Sequence, residues 1–285
     1  MKVELAKSAG FCFGVNRAID TVYRLLEDGQ KVCTLGPIIH NEQVVEDLGK
    51  RGVRVLEQKD LDSQSLQVDT DCILVIRSHG VSQSTIEQLE KSGISYEDAT
   101  CPFVKKIHKT VSEYSKKGYE IVIVGNEKHP EVQGILGWTS GLGHVVETKD
   151  EAENFTLKNP GSKVCIVAQT TFNYKKFQDL VEILSKKGYD ILAVNTICNA
   201  TSTRQEEAEK LAARSDAMIV IGGKHSSNSR KLYEICKNQC ANTFFIQTVD
   251  DLSSISLSSF TSLGITAGAS TPNTIIQEVL KACQI

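Results

Sequence analysis

Short apolar runs alternate with amphipathic helical patterns along the whole chain. Each apolar run has the length of a β-strand, and glycine or polar residues follow it before the next helical pattern begins. Strands that alternate with helices in this way predict parallel α/β sheets, with ligands at the carboxyl ends of the strands. The predicted strands are Val3–Ala6, Lys31–Leu35, Cys72–Ile76, Glu120–Val124, Val164–Ala168, Ala217–Ile221 and Ser262–Thr266.

The same order of elements occurs three times. In each repeat a cysteine precedes a helix, and two later strands end in polar loops at similar distances from that cysteine. We therefore predict the α/β class, with three similar lobes at residues 1–95, 96–194 and 195–285. Mostly parallel sheets are expected, in a pseudo-threefold arrangement around one central site.

Three cysteines stand at the same point of the repeat. Cys12, Cys101 and Cys198 each lie just before a helical pattern, where the helix dipole favours a thiolate. Three thiolates without an obvious fourth suit a 4Fe–4S cluster that has one open iron. Zinc with three cysteines and an open position is the competing metal. The other cysteines are expected to be buried small hydrophobic residues: Cys33, Cys72, Cys165, Cys236, Cys240 and Cys283.

Polar loops that follow the strands carry the candidate binding residues. They supply imidazole, hydroxyl and amide groups, which offer many hydrogen-bond donors and little fixed charge. Together with helix N-termini, such groups suit a diphosphate, and the absence of a Gly-Lys-Ser/Thr phosphate loop argues against a nucleoside triphosphate. The residues are His40, His79, His129, Ser226, Ser227, Asn228 and Ser270.

One carboxylate lies on these loops beside a histidine, in His129-Pro130-Glu131. Facing an anionic cluster and a diphosphate, Glu131 is expected to have a raised pKa and to deliver protons near neutral pH. Thr170 relays that proton or only caps the helix after it, and the sequence leaves both roles open.

Composition excludes several other classes of protein. The net charge is −3, no long run of lysine or arginine suggests binding to nucleic acid or membrane, and no apolar run approaches the length of a membrane span. The N-terminus has no signal-peptide pattern, so a cytoplasmic protein is expected. An odd count of nine cysteines in a reducing compartment favours metal or redox use over disulfides.

The motifs, taken together, resemble the LytB-type 4-hydroxy-3-methylbut-2-enyl diphosphate reductases over essentially the whole chain. The residues that carry the resemblance are Gly10-Phe11-Cys12-Phe13-Gly14, Gly36-Pro37-Ile38-Ile39-His40, Arg77-Ser78-His79-Gly80, Ala99-Thr100-Cys101-Pro102, His129-Pro130-Glu131, Gln169-Thr170-Thr171, Ile197-Cys198-Asn199-Ala200, Ser226-Ser227-Asn228-Ser229 and Ala267-Gly268-Ala269-Ser270.

This resemblance implies a trefoil of three α/β domains around one 4Fe–4S cluster, held by Cys12, Cys101 and Cys198. It implies reductive removal of the hydroxyl group from an allylic diphosphate, the last step of the non-mevalonate isoprenoid pathway. Glu131 is then the proton donor with Thr170 assisting, the seven polar residues named above hold the diphosphate, and flavodoxin or ferredoxin supplies electrons.

Two other functions remain open at this point. An iron–sulfur hydro-lyase also uses an open iron but needs no electrons, so its turnover is independent of a reductant. A non-enzymatic iron or redox sensor needs no pocket of histidine, serine and asparagine, and it does not bind an allylic diphosphate.

Overall fold

The computed structural model describes residues 1–62 and 72–284, and within them it contains three parallel sheets. Their strands are short, and several are apolar from end to end. In chain order they are β1 (Lys2–Leu5), β2 (Lys31–Leu35), β3 (Arg54–Leu56), β4 (Cys72–Ile76), β5 (Tyr96–Asp98), β6 (Glu120–Val124), β7 (Gly143–Val146), β8 (Val164–Ala168), β9 (Ile191–Ala193), β10 (Ala217–Ile221), β11 (Thr243–Ile246) and β12 (Ser262–Ala267).

Helices connect the strands, as parallel pairing requires. They are α1 (Phe13–Glu27), α2 (Glu42–Lys50), α3 (Gln58–Asp62), α4 (Gln83–Ser92), α5 (Pro102–Lys116), α6 (Pro130–Leu136), α7 (Lys149–Asn154), α8 (Tyr174–Ser185), α9 (Asn199–Ala212), α10 (Ser227–Gln239) and α11 (Asn273–Cys283), with a 3₁₀ helix at Val249–Ser254. No helix in the described parts of the chain combines the length and apolarity needed to cross a membrane.

All three sheets have the same strand order. It is β3-β2-β4-β5 in one sheet, β7-β6-β8-β9 in the next and β11-β10-β12-β1 in the third. Every pairing is parallel. The predicted α/β class with parallel sheets is therefore confirmed.

The repeat is shifted along the chain relative to the predicted lobes. Strand β1 pairs with β12, so the N-terminal strand completes the sheet of the C-terminal strands. Strand β5 pairs with β4, although the predicted boundary places it in the second lobe. Each of Cys12, Cys101 and Cys198 thus follows the fourth strand of a sheet (β1, β5 and β9) and closes a repeat. The boundaries at 1–95, 96–194 and 195–285 stay a prediction, and these two strands pair across them.

The described residues form two compact units. The first unit contains Met1–Asn16, Ile39–Asp47 and residues 198–284, and therefore the sheet of β1, β10, β11 and β12. The second unit contains residues 17–38, 48–62 and 72–197, and therefore the other two sheets.

Central strands of two sheets pack on both faces. In β10 the side chains of Ile219 and Met218 belong to different apolar clusters, as do those of Val122 and Ile121 in β6. A strand that is covered on both faces needs apolar residues at consecutive positions. This requirement explains the continuous apolar runs in the sequence.

Two of the cysteines expected to be simple buried hydrophobic residues behave differently. Cys33 in β2 and Cys72 in β4 form a disulfide, with a Cα–Cα distance of 6.3 Å. The two strands are neighbours, and their register pairs Cys33 with Leu74 and Lys31 with Cys72. This register places both sulfur atoms on the same face of the sheet, because alternate residues of a strand share a face.

Candidate functional site

The predicted binding and proton-donor residues follow the two central strands of each sheet. In each sheet the strand order reverses direction between the two central strands. Parallel α/β sheets bind ligands beside the carboxyl ends of the strands at this switch point. The positions are His40 after β2, His79 after β4, His129 and Glu131 after β6, Thr170 after β8, Ser226, Ser227 and Asn228 after β10, and Ser270 after β12.

In the first unit, a buried arginine connects the segments of two predicted ligand cysteines. Arg204 lies on α9, the helix that Cys198 precedes, and is 3% exposed. Its Nε donates to the backbone oxygen of Ser8 at 2.9 Å, and Nη2 donates to that of Gly10 at 2.7 Å. The Arg204 side chain therefore holds the loop that leads to Cys12 against the helix that begins after Cys198.

The charge of Arg204 fits a group that carries negative charge. Burial lowers the pKa of the guanidinium, and the Cys12, Cys198 and Glu207 side chains oppose that effect. Its Nη1 is buried and has no hydrogen-bond partner among the described residues. Cys12 and Cys198 are free, half-buried thiols. This donor set, together with a compensating cation, suits a thiolate-bound metal cluster.

Two loops of the first unit meet closely at His40. The Ser270 hydroxyl donates to the backbone oxygen of His40 at 3.0 Å. A Cβ atom on Gly223 would lie 2.7 Å from the same oxygen, so only glycine fits there. The loops after β10 and β12 are therefore fixed against the segment that contains His40.

Ser226 begins helix α10 as its N-cap. Its oxygen accepts hydrogen bonds from the backbone N–H of Ser229 at 3.3 Å and from the Ser229 hydroxyl at 3.0 Å. Because both bonds use the oxygen as an acceptor, the Ser226 hydroxyl proton can still be donated. Ser227 is the first residue of the helix and is partly exposed.

Asn228 is a buried polar residue of this unit whose side-chain hydrogen bonds are incomplete within the described residues. The side chain is 3% exposed, and neither Oδ1 nor Nδ2 has a hydrogen-bond partner within the described residues. Leaving a buried polar group unpaired costs about 1–3 kcal/mol. An amide that is held in this way suits a polar ligand that completes its hydrogen bonds.

In the second unit, the third predicted ligand is tied to a histidine segment. Cys101 is the N-cap residue of α5, and its backbone N–H donates to the Ser78 oxygen at 3.0 Å. Arg17 fixes the same segment, because Nη1 donates to the Thr100 oxygen at 3.0 Å. Cys101 therefore lies beside the backbone that leads into His79.

His79 and His129 lie next to each other in this unit. Their ring centres are 5.4 Å apart in an edge-to-face arrangement. The Nδ1 atom of His129 accepts the backbone N–H of Glu131 at 3.1 Å. A neutral imidazole that accepts at Nδ1 carries its proton on Nε2, so His129 presents an N–H donor from its other edge.

Glu131 and Thr170 are joined by two hydrogen bonds. The Thr170 backbone N–H donates to Oε1 at 2.6 Å, and the Thr170 hydroxyl donates to Oε2 at 2.8 Å. Thr170 thus contacts the carboxyl group directly and is not the N-cap of the following helix. The first residue of that helix, α8, is Tyr174, and its N-cap is Asn173.

Burial makes Glu131 a weak acid. The side chain is 2% exposed, and burial raises its pKa to about 7 against the opposing effect of the two Thr170 donors. The sequence predicted a raised pKa from neighbouring anions, whereas the protein alone raises it through desolvation. Near neutral pH a substantial fraction of Glu131 is therefore protonated and able to donate.

A protein-family model described as LytB protein matches residues 3–284. The chain belongs to the LytB protein family. Two relatives are named 4-hydroxy-3-methylbut-2-enyl diphosphate reductase. The protein from Caldanaerobacter subterraneus subsp. tengcongensis is 47% identical and covers 99% of this chain and 96% of its own. The protein from Clostridioides difficile is 44% identical and covers 98% of both.

Solved structures agree with the LytB assignment. The E-1-hydroxy-2-methyl-but-2-enyl-4-diphosphate reductase from Plasmodium falciparum matches with a TM-score of 0.92 at 30% identity, covering all of this chain and 88% of that one. A structure of (E)-4-hydroxy-3-methyl-but-2-enyl diphosphate reductase, described as the terminal enzyme of the non-mevalonate pathway, has a TM-score of 0.69 at 41% identity and covers 99% of that chain. The resemblance found in the motifs is therefore confirmed.

Sequence reasoning missed Arg204 in this LytB-family chain. Arginine on an amphipathic helix usually indicates a solvated face, so its burial gave no local signal. The available clue was its position on the helix opened by Cys198, one turn and a half beyond that cysteine.

Proposed function

We propose that the protein is a 4-hydroxy-3-methylbut-2-enyl diphosphate reductase. In this reaction the substrate takes up two electrons and two protons, its allylic C–O bond breaks, and the hydroxyl oxygen leaves as water. Isopentenyl or dimethylallyl diphosphate forms, depending on which carbon receives the proton. Membership of the LytB family and the buried, protonatable Glu131 both support this function.

Cys12, Cys101 and Cys198 are the proposed ligands of one 4Fe–4S cluster per chain. Such a cluster, with one iron free of cysteine, supplies electrons and a Lewis-acid position. Arg204 supports two of the ligand segments and places a buried positive charge near two of the thiols. A small electron-carrier protein of the flavodoxin or ferredoxin class is the proposed reductant.

The substrate diphosphate is the proposed ligand of the neutral polar residues. Asn228 has buried donor and acceptor atoms that find no partner in the described part of the chain, and Ser226 retains a hydroxyl proton. His129 offers Nε2–H. The remaining proposed contacts are His40, His79, Ser227 and Ser270. Binding of this remote, unreactive group supplies energy that orients the reacting carbon.

Glu131 is the proposed proton donor, and its raised pKa is the observation that carries the proposal. A carboxyl group with a pKa of about 7 can hold a proton at neutral pH and release it to a leaving oxygen. The Thr170 hydroxyl bonds the carboxylate that remains, which limits the free energy of leaving a buried charge. Thr170 therefore assists Glu131 by orienting it and stabilising its ionised form.

An anaerobic assay with and without a low-potential reductant tests the function. We expect (E)-4-hydroxy-3-methylbut-2-enyl diphosphate to be consumed only when the reductant is present, with two electrons used per product. Equal turnover without the reductant would identify a hydro-lyase instead. Loss of substrate binding, with the cluster retained, would favour a sensor.

A further inference from the structure

A cavity lies in the second unit, along the face of α5 that carries Lys105, Lys109 and Lys116. Its volume is about 600 Å³, within the ~300–1,000 Å³ range of pockets for small ligands. The apolar part of its wall comes from Val81, Ile86, Tyr96 and Trp138. None of these four residues belongs to the proposed diphosphate or cluster ligands.

His108 forms an inner wall of this cavity. Its ring stacks on Trp138, with ring centres 5.2 Å apart and planes 16° from parallel. The residue is 6% exposed, and its Nε2 is buried without a hydrogen-bond partner among the described residues. Burial lowers the pKa of His108 to about 4, so the ring is neutral at pH 7. The imidazole is therefore incompletely hydrogen-bonded within the described residues.

The inner wall is held rigidly. Trp138 Nε1 donates to the Val81 oxygen at 2.9 Å, which fixes the indole. A Cβ atom on Gly80 would lie 2.7 Å from Cε1 of His108 and 3.0 Å from Cγ2 of Thr100. The ring therefore fills the space that a side chain at position 80 would need, and the cavity is formed before any ligand enters.

Charge at the rim of the cavity is positive. Its two acidic residues are already paired, because Lys105 lies 2.7 Å from Asp98 and Lys117 lies 2.6 Å from Glu113. Lys109 and Lys116 also line the cavity, and neither forms a salt bridge with a described residue. Both are exposed on the same helix. The rim therefore offers two cations to an anionic group.

We propose that this cavity binds an amphiphilic anion, with an apolar chain against Trp138, Val81 and Ile86 and an acidic head group at Lys109 and Lys116. The proposal is independent of the reductase function, because none of its contact residues takes part in the proposed reaction. A straight-chain lipid phosphate and a branched isoprenoid phosphate share this chemistry.

Binding of two ten-carbon phosphates to the anaerobically prepared holoprotein tests the proposal. Decyl phosphate and geranyl monophosphate carry the same head group on a straight and a branched chain, and decan-1-ol lacks the charge. Trp138 is the only tryptophan of the chain, so a saturable change in its fluorescence reports on this cavity. We expect at least one phosphate to bind more than tenfold more tightly than decan-1-ol. The phosphate that binds more tightly identifies whether the natural ligand has a straight or a branched apolar chain.

Charge reversal locates the head group. Lys109→Glu combined with Lys116→Glu is expected to weaken phosphate binding by about tenfold or more. Lys106→Glu combined with Lys281→Glu changes the net charge equally but at exposed residues outside the cavity wall, and it should leave the affinity within twofold.

Binding of the ligand's apolar chain is tested separately with Ser112→Phe, which places a ring inside the cavity from the middle of α5. It should abolish binding of both phosphates while the thermal midpoint stays near that of the unchanged protein. If Ser112→Phe unfolds the protein, the two lysine double variants still test whether the anion binds at this cavity. Absence of a saturable fluorescence change, equal affinity for decan-1-ol, or equal effects of the two lysine pairs would overturn the proposal.

Discussion

The first and second units differ in what their polar residues can do with a proton. Among the predicted site residues, the first unit contains His40, Ser226, Asn228 and Ser270, which supply imidazole, hydroxyl and amide groups but no carboxyl group. The second unit contains His79, His129 and Glu131, and burial raises the pKa of Glu131 to about 7. The polar residues proposed for diphosphate binding therefore occur in both units, whereas the proposed proton donor lies in the second unit.

Hydrogen bonding shows the same contrast. Both polar atoms of the Asn228 amide are buried and have no hydrogen-bond partner among the described residues, whereas both carboxyl oxygens of Glu131 accept bonds from Thr170. An unsatisfied group gains most when a ligand arrives, and a satisfied one is held in place for chemistry. The comparison predicts that a change at Asn228 mainly raises KM and that a change at Glu131 mainly lowers kcat.

Glu131→Gln is expected to have the largest effect. The amide has nearly the same shape but cannot donate the carboxyl proton, so kcat should fall by about 10²–10⁴ with KM changed little. Steady-state kinetics under anaerobic conditions measure both. Glu127→Gln, an exposed position on the same loop, is the matched control and should retain full activity. Near-normal kcat in Glu131→Gln would remove this residue from its proposed role.

Asn228→Ala is expected to have the next largest effect, and this effect is on KM. Loss of a hydrogen bond to a charged ligand costs about 1.5–3 kcal/mol, so KM should rise roughly tenfold to hundredfold with kcat nearly unchanged. The thermal midpoint should not fall, because the replaced amide makes no hydrogen bond to a described residue.

Ser226→Ala provides the contrast in stability. Its oxygen caps α10, so this variant should lose about 1 kcal/mol of unfolding free energy. A midpoint that drops more in Asn228→Ala than in Ser226→Ala would show that Asn228 is structural.

Thr170→Val is expected to have the smallest effect. The Thr170 hydroxyl stabilises ionised Glu131, so its removal should raise the pKa of Glu131 above about 7. Glu131 is active when protonated, and activity should therefore decline as pH rises through that pKa. The alkaline limb of kcat against pH should move to higher pH in Thr170→Val and return in Thr170→Ser. An unmoved limb would contradict the assignment of that limb to Glu131.

Most central strands could be predicted from the sequence, and most edge strands could not. Strands such as β6 and β10 are buried at every position and leave a continuous apolar run. The missed strands β3, β5, β7, β9 and β11 are three or four residues long and lie at sheet edges, where one side has no partner strand. The pairing of β1 with β12 joins opposite ends of the chain, and no local pattern encodes it.

The loops of the candidate site could be predicted because their polar residues follow directly after apolar strands. The sequence predicted that His79, His129, Glu131 and Ser270 follow apolar strands, and they do so in the structure, whereas their roles stay predictions. The burial of Arg204 and His108 depends on contacts with residues far away in the sequence, with Gly10 in one case and Gly80 in the other. Such packing cannot be deduced from the pattern on one helix.

Infrared difference spectroscopy on the anaerobically prepared holoprotein tests the central claim most directly, because it observes the proton on Glu131 without requiring turnover. We expect a carbonyl band of a protonated carboxylic acid that disappears as pH rises through about 7 and is missing in Glu131→Gln. If the band is absent at pH 6, or persists unchanged in Glu131→Gln, the buried carboxyl group is not the proton store of this site.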